Sequence, residues 1–96
     1  MANNVAMIAR MQDLNDILVY VKVVESGSFT AAGDLLNLPR SSVSRKVSRL
    51  EEELGVRLLH RTTRSLSMTP AGQTYFERAS RAFAELADVT SVVAGL

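Results

Sequence analysis

A short break between two helical patterns is the sequence feature that most constrains the fold of this chain. The first pattern covers residues 29–36, and the hydroxyl of Ser28 is placed to cap its start. Residues 37–39, Asn-Leu-Pro, interrupt the pattern. A further helix is expected over about 40–54, whose first turn Pro39 also fits, with Gly55 as its C-terminal cap. Two short helices joined by so few residues predict a helix-turn-helix.

Apolar spacing supports a three-helix core around this break. A helix with one buried face is predicted before the break from apolar residues at helical intervals, which are Leu14, Ile17, Leu18, Val21 and Val24. Asp13 or Asn15 can cap its start, and Gly27 can end it. The inward face of 40–54 is expected to consist of Val43, Val47, Leu50 and Leu54. Gly33, which is unusual inside a short helix, is expected to admit the close approach of another helix.

The second half of the chain predicts a hairpin and a long helix. Residues 56–61 and 65–68 are short, partly alternating segments around a polar centre, which favours a small β-hairpin. Thr69 followed by Pro70 combines a capping residue with proline in the first turn, and apolar spacing continues to about Val93. The predicted fold class is therefore mainly α, a winged helix-turn-helix with a two-stranded wing and a long final helix.

The final helix carries two apolar stripes. One alternates intervals of three and four, as in a coiled-coil seam, and contains Phe76, Ala79, Phe83, Leu86, Thr90 and Val93. The other contains Tyr75, Ala82, Val89, Val92 and Leu96. One stripe can cover the domain's own core and the other a second chain, although both can also be internal. The predicted dimerisation residues are Tyr75, Phe76, Ala79, Phe83, Leu86, Val89 and Val93.

Positive charge is concentrated in one part of a chain whose net charge is only +1. Residues 40–64 contain seven Lys or Arg and three Glu, which gives a local charge of +4, and the rest of the chain carries −3. A basic surface on a nearly neutral protein is typical of polyanion binding. The alternative, from charge alone, is a solvated helix face.

The polar face of residues 40–54 combines arginines with small hydroxyl side chains. An arginine fork can bond guanine or a phosphate through two donors, and serine lets a helix approach the groove floor. The candidates on this helix are Arg40, Ser41, Ser44, Arg45, Ser48 and Arg49, with Lys46 as a further cation. The candidates at the hairpin tip, which can reach the DNA backbone or the minor groove, are Arg61, Thr62, Thr63 and Arg64. A solvated Ser/Arg-rich helix and an ordinary polar turn are the alternatives.

Other chemistry has little support in the sequence. The chain has no cysteine, which excludes a disulfide framework, a thiol nucleophile and a Cys-based zinc site. His60 is the single histidine, and the carboxylates of 51–53 point in different directions on a helix, where they are expected to form salt bridges. No cofactor is therefore expected, and an enzyme is not favoured. Because no apolar run approaches a membrane span and residues 1–10 make a poor signal peptide, we expect a cytoplasmic protein.

Four segments of the chain resemble the LysR family of bacterial transcriptional regulators. They are SGSFTAA at 26–32, SVSRKVSRLE at 42–51, LGVRLLHRTTR at 54–64 and TPAG at 69–72, and the similarity covers about residues 11–90. Their order and spacing are far more specific than a helix-turn-helix pattern alone. The resemblance implies a transcription regulator whose final helix is a linker that forms a homodimer. In this family the linker leads to a C-terminal domain that binds a small inducer.

The resemblance also implies a domain organisation. Residues 1–12 are expected to be an N-terminal extension that is mobile or lengthens the first helix, 13–68 the winged helix-turn-helix, and 69–96 the linker and dimerisation helix. The effector-binding domain is expected to be missing, because the sequence stops on a hydrophobic helix without a cap. Family members bind interrupted inverted repeats in double-stranded DNA near promoters as tetramers built from dimers, so a nucleoid-associated protein is expected.

Contact residues follow from the resemblance, position by position. Base and phosphate contacts are expected at Arg40, Ser41, Ser42, Ser44 and Arg45, wing contacts at Arg61, Thr63 and Arg64, and backbone contacts at Ser28 and Thr30. Pro39 and Arg40 stand where many members have a Ser or Thr cap followed by Gln, and Gly33 replaces a usual Ala. The competing hypotheses are a winged-helix repressor of another family and a helical protein-interaction module that docks a partner through Phe76, Phe83 and Leu86.

Overall fold

The computed structural model describes residues 4–11, 13–61 and 65–95. Its helices are α1 (Asn4–Met11), α2 (Leu14–Ser26), α3 (Phe29–Leu36), α4 (Arg40–Leu54) and α5 (Pro70–Ala94), and its strands are β1 (Leu59–Arg61) and β2 (Leu66–Met68). The predicted mainly α, winged helix-turn-helix fold is confirmed. Part of the expected N-terminal extension forms a separate helix, α1, and does not lengthen α2, because Asp13 caps α2 from outside. The expected mobility of 1–12 stays a prediction.

Side-chain caps start α2, α3 and α5 at the positions predicted from sequence. The carboxylate of Asp13 and the hydroxyls of Ser28 and Thr69 each accept a backbone N–H of the first turn over 2.8–2.9 Å. Each cap satisfies one of the backbone donors that a helix start leaves unpaired. The start of α4 differs, because Pro39 lies one residue before the helix rather than inside its first turn. Its carbonyl oxygen accepts from two amides of that turn.

Residues with a left-handed backbone end the helices around the break. Gly27 (φ 83°) and Gly55 (φ 72°) end α2 and α4 as predicted, since glycine adopts positive φ without a steric penalty. Asn37 (φ 58°) ends α3, and Gly95 (φ 77°) caps α5, so the expectation of a final helix without a cap is wrong. Gly33 is needed for close packing and not for a positive φ, because a methyl group there would lie 2.6 Å from the carbonyl oxygen of Leu38. It therefore admits the backbone of the turn, and not the second helix that the sequence suggested.

The core lies where α2 meets α3, α4 and α5. It contains the buried apolar residues Ile17, Val19, Tyr20, Val21, Val23, Ala32, Val43, Val47, Leu50, Leu58 and Leu59. The inward face predicted for α4 is confirmed: Val43, Val47 and Leu50 are buried, and Leu54 is half-buried. The single buried face predicted for α2 is wrong, because Tyr20 and Val23 are fully buried while Leu14 is 55% exposed. Since α2 packs against three helices, burial extends around it beyond one stripe.

The wing is a two-stranded antiparallel sheet with the register Leu59↔Met68, His60↔Ser67 and Arg61↔Leu66. The side chains of Leu59, Leu66 and Met68 pack against the core. His60 and Ser67, which face each other in the middle of the sheet, are exposed. Because side chains alternate along a strand, this pattern fixes which face of the wing meets the core. The strands are shorter than the predicted segments, and the expected tip at 62–64 lies outside the described residues.

The start of α5 is fastened to the core by close backbone contact. The Tyr20 hydroxyl donates to the Gly72 carbonyl oxygen at 2.8 Å. A methyl group at Gly72 would collide with the carbonyl oxygen of Leu58, so only glycine fits this approach. Burial, followed by the interactions with Glu51 and Tyr75, raises the pKa of Tyr20 to about 12. The first turn of α5 is therefore fixed relative to α2 and to the residue that precedes the wing.

Candidate nucleic-acid interface

The N-terminal end of α4 presents cations and hydroxyl groups to solvent. The exposed residues there are Arg40, Ser41 and Arg45, and the half-buried ones are Ser42, Ser44 and Lys46. Within the described residues, Arg45 has neither a hydrogen bond nor an ion pair. An unpaired guanidinium keeps its five N–H donors for guanine or phosphate, as the predicted DNA contact requires.

Arg49, one helical turn beyond Arg45, is bound inside the domain. Its Nε and Nη2 atoms donate to the two carboxylate oxygens of Asp16 over 2.6 and 2.8 Å, and Nη2 lies 3.9 Å from Oδ2 of Asp13. Asp16 is fully buried, and Nζ of Lys46 lies 4.0 Å from its Oδ1. The hydrogen bond and charge of Asp16 raise the pKa of Arg49 above its usual value. Arg49 therefore joins α4 to α2, and its donors are less available to DNA than those of Arg45.

Glu51 is a buried acceptor that fixes the base of the wing. Its side chain is 4% exposed, and its Oε2 atom accepts from the amides of Leu58 and Leu59 over 2.8 and 3.2 Å. Its Oε1 atom accepts from Arg61 at 2.9 Å and from Arg57 at 3.4 Å. A buried carboxylate is tolerated when its oxygens are satisfied in this way. The salt bridges expected of the acidic run are therefore found at Glu51, where they hold the wing against α4.

The roles of Asp16 and Glu51 were missed from sequence, although both residues occupy inward helical positions. Glu51 is four residues after Val47 and three before Leu54, so it shares their face of α4. Asp16 is four residues before the buried Tyr20. Charged residues are almost never fully buried unless they are paired, so a charge on a core face is the signal for an internal ion pair.

Arg61 lies at the turn-proximal end of β1, opposite Leu66, and its side chain reaches back to α4. It is the last residue of β1, and its Nη1 atom donates to the Ser48 hydroxyl at 2.9 Å while Nη2 donates to Glu51. Its charge is therefore matched by a buried carboxylate. The other predicted wing contacts, Thr63 and Arg64, lie outside the described residues.

Phe29 brings two predicted contacts to one place. The guanidinium carbons of Arg40 and Arg61 each lie 5.6 Å from the centroid of its ring. The hydroxyl of Ser28 already accepts from a backbone amide of α3, whereas Thr30 is exposed on the first turn of that helix. The start of α3, the start of α4 and the guanidinium of Arg61, the last residue of β1, therefore meet at Phe29.

The burial of the apolar residues of α5 changes along the helix axis and does not divide the helix into two faces. The residues half-buried against the core are Tyr75, Phe76, Ala79 and Phe83. The exposed ones are Leu86, Val89 and Val93, at 57%, 51% and 81%. An apolar groove of about 350 Å³ lies between α1, α2 and the first half of α5. Of the predicted dimerisation residues, the first four thus serve the domain's own core and the last three are exposed.

Metal and membrane features were sought in residues 4–11, 13–61 and 65–95. These ranges contain no group of three His, Cys, Asp or Glu residues that could hold a metal ion. None of their helices combines the length and the apolar content needed to cross a membrane. The buried carboxylates of Asp16 and Glu51 pair with arginine instead.

Comparison with known proteins identifies the family. A family model described as the bacterial regulatory helix-turn-helix protein, lysR family, matches residues 14–73. The chain belongs to the LysR family. An HTH-type transcriptional regulator of Xanthomonas campestris pv. campestris is 55% identical over 84 residues, which are 88% of this chain and 24% of the relative. The HTH-type transcriptional regulator CrgA of Neisseria meningitidis is 56% identical over 72 residues, 75% of this chain and 24% of the relative.

Solved structures of LysR-type proteins agree with this assignment. The BenM_DBD/catB site 1 DNA complex has a TM-score of 0.81 at 34% identity, covering 85% of this chain and 92% of that chain. CrgA from Neisseria meningitidis has a TM-score of 0.72 at 49% identity, covering 85% of this chain and 28% of that one. The chain spans about a quarter of the length of its curated relatives. The predicted family is confirmed, and these relatives are transcriptional regulators and not enzymes, as expected.

Proposed function

We propose that this chain is the DNA-binding domain of a LysR-type transcriptional regulator and that it binds double-stranded DNA through the N-terminal half of α4. The observation that carries the proposal is the exposure of Arg40, Ser41 and Arg45 at that end. Arg45 has no partner within the described part of the chain, so its donors are available to bases or phosphates. The similarity to the BenM structure, which is a DNA complex, supports the proposal.

The N-terminal residues of α4 face the base edges of the major groove in this proposal. Arg40 or Arg45 bonds guanine O6 and N7 through two parallel donors, and the small side chain of Ser41 permits a close approach. Ser42 and Ser44 bond phosphates or base edges, which positions the helix more than it discriminates between sequences.

Flanking elements hold the helix on the DNA. The proposed further contacts are Ser28 and Thr30 at the start of α3, Arg61, Thr63 and Arg64 of the wing, and Lys46 and Arg49 of α4. Arg49 and Arg61 also bind Asp16 and Glu51, so we assign them a smaller share of the affinity than Arg45. Phosphate contacts of this kind supply much of the affinity and make it depend on salt.

Two such domains act together in the proposed assembly. Leu86, Val89 and Val93 form an exposed apolar stripe on the second half of α5, which a second copy can cover as a homodimer. Residues 13–68 are then the DNA-binding unit and 69–96 the linker, and the two copies of α4 lie in major grooves about one helical turn apart. We propose that the whole regulator is a cytoplasmic, nucleoid-associated tetramer. It binds an interrupted inverted repeat and carries an inducer-binding C-terminal domain.

A selection experiment tests sequence-specific binding. Duplexes are enriched from a random library with this chain, and fluorescence anisotropy compares the enriched duplex with a shuffled one over a salt series. We expect tighter binding to the enriched duplex, with an affinity that falls steeply as salt rises. Binding to neither duplex at low salt would contradict the proposal and favour the protein-interaction module.

The role of Arg45 is tested in the same assay. Arg45→Ala should weaken binding to the enriched duplex by about 1–3 kcal/mol and reduce the preference over the shuffled duplex, because a base contact is lost. An equal loss on both duplexes would assign Arg45 to a phosphate. Unchanged binding to both would contradict the placement of α4 on DNA.

Sedimentation of matched α5 variants tests the homodimer. Val89→Glu places a charge in the exposed apolar stripe and should shift the chain towards monomer, because the charge must be desolvated at the interface. Glu85→Gln, at an exposed polar position of the same helix, is the control and should not change association. A dimer that survives Val89→Glu unchanged would place the interface elsewhere.

A further inference from the structure

Phe29 stands at the junction of α3, α4 and the wing. Its side chain is half-buried and packs against the core, and the cap formed by Ser28 precedes it directly. Core packing and the helix cap therefore fix the position of the ring. The guanidinium carbons of Arg40 and Arg61 lie over this ring, each at 5.6 Å from its centroid.

The two arginines differ in what else holds them. Arg61 donates to the Ser48 hydroxyl and to the buried carboxylate of Glu51, both at 2.9 Å, so its position is set without the ring. Arg40 is exposed and, among the described residues, has no hydrogen bond or ion pair. Among the described residues, the interaction found for the guanidinium of Arg40 is therefore its contact with the ring of Phe29.

An aromatic ring and a carboxylate restrain a guanidinium in different ways. The negative face of the ring attracts a cation within about 6 Å of the centroid. No N–H donor of the arginine is used by an oxygen acceptor, so the planar fork remains free to bond a second partner through two donors. A restrained side chain also loses less rotamer freedom when it binds than an unrestrained one.

We propose that Phe29 is a positioning residue that holds Arg40 in the orientation in which it binds DNA. The inference rests on the proposed function, because it assigns a task to Arg40 at the DNA surface. Phe29 acts here without touching DNA itself. The consequence is that affinity at the contact made by Arg40 depends on the electron density of a ring in the neighbouring helix.

A double-mutant cycle tests this dependence. Phe29→Leu, Arg40→Ala and the double variant are compared with the unchanged chain, using the duplex enriched by selection and fluorescence anisotropy. Circular dichroism first establishes that each variant is folded at the assay temperature. Arg40→Ala should weaken binding by about 5- to 150-fold, the range expected for one bidentate base contact. Phe29→Leu should weaken binding by about two- to fivefold in the unchanged chain and not at all beside Arg40→Ala.

Two ring-preserving variants separate electrostatics from packing. Phe29→Tyr keeps the negative ring face and should bind DNA as the unchanged chain does. Pentafluorophenylalanine at position 29 keeps a six-membered ring but withdraws electron density from its face, so it should lower affinity as Phe29→Leu does. This pair gives the answer even where Phe29→Leu does not fold.

Each remaining outcome overturns the inference. An equal loss from Phe29→Leu with and without Arg40 would show that Phe29 acts through packing or through Arg61. Full affinity with pentafluorophenylalanine would exclude a role for the ring face. Full affinity of Arg40→Ala would remove the contact that Phe29 is proposed to position, while specific binding through Arg45 would leave the proposed function intact. Failure of the unchanged chain to bind any duplex would instead refute the proposed function itself.

Discussion

Both ends of α4 carry arginine, and they use it in opposite ways. At the C-terminal end, Arg49 is bound by the buried carboxylate of Asp16, and Glu51 accepts four donors from the wing and the residues before it. At the N-terminal end, Arg40 and Arg45 are exposed, and Arg45 has no partner in the described part of the chain. The number of arginines therefore does not locate the interface. What locates it is which arginines are paired with buried carboxylates and which are not.

Anchoring one end of a recognition helix holds the other end in a fixed orientation for binding DNA. Buried carboxylates require partners, so Asp16 and Glu51 fix the rotation of α4 relative to α2 and the wing. A surface that is fixed before binding loses less conformational freedom when the complex forms. The anchored end thus contributes to DNA binding through geometry, and the exposed end through direct contact.

The largest expected effect comes from removing the acceptor at the anchored end. Glu51→Ala leaves the amides of Leu58 and Leu59 and the guanidinium of Arg61 without their carboxylate, so the free energy of unfolding should fall by about 3–5 kcal/mol. Urea denaturation measures this change. Glu52→Ala, at the exposed neighbouring position, is the control and should change stability by less than about 0.5 kcal/mol. Equal losses from the two variants would contradict the anchoring role.

Alkaline pH should weaken the contact between α2 and the start of α5 through Tyr20. Its pKa is raised to about 12 from an ordinary value of 10, so the neutral hydroxyl contributes stability that is complete below pH 10. As pH rises from 10 to 12, the unfolded chain loses its proton first, and stability should fall by about 2 kcal/mol.

Tyr20→Phe provides the control for this titration. Near pH 7 the variant should be less stable by about 1 kcal/mol, because the hydrogen bond to the Gly72 carbonyl oxygen is lost. Above about pH 11 the order should reverse, because phenylalanine does not titrate. Parallel stability curves between pH 7 and 12 would show that Tyr20 does not titrate as its burial requires.

A smaller difference should separate the two arginines in stability. Arg49→Ala leaves the buried carboxylate of Asp16 with Lys46 as its remaining cation, so the free energy of unfolding should fall measurably. Arg45→Ala should change the free energy of unfolding by less than about 0.5 kcal/mol, because Arg45 is exposed. Thermal unfolding of both variants measures the contrast. A loss of similar size in Arg45→Ala would remove the distinction between the ends of α4.

Local features of the fold were predictable because their causes lie within a few residues. Ser28 and Thr69 cap helices where a hydroxyl precedes a helical pattern, and Gly27 and Gly55 end helices where a positive φ is needed. The inward face of α4 likewise follows from spacing alone. The single stripe predicted for α2 failed because a helix that packs against three others is buried on more than one side.

Which arginines are bound inside the domain and which are free for DNA could not be predicted, because internal pairing depends on residues that are distant in sequence. Arg49 and Asp16 are 33 positions apart in sequence, and Phe29 meets Arg61 only after α3, α4 and the wing have packed. Charge counting therefore treats Arg45, Arg49 and Arg61 alike. A charged residue on a buried helical face, as at position 51, is the sequence signal that would have revealed the internal partners.

Paired binding curves for Arg45→Ala and Arg49→Ala test most directly whether the exposed end of α4 carries DNA binding. Both variants are titrated with the enriched duplex at a temperature well below the unfolding midpoint of Arg49→Ala. We expect Arg45→Ala to lose about 1–3 kcal/mol of binding free energy and Arg49→Ala to lose less than about 0.5 kcal/mol. The reverse order, with Arg49→Ala weakened and Arg45→Ala unchanged, would contradict the assignment of the exposed end as the DNA-binding surface.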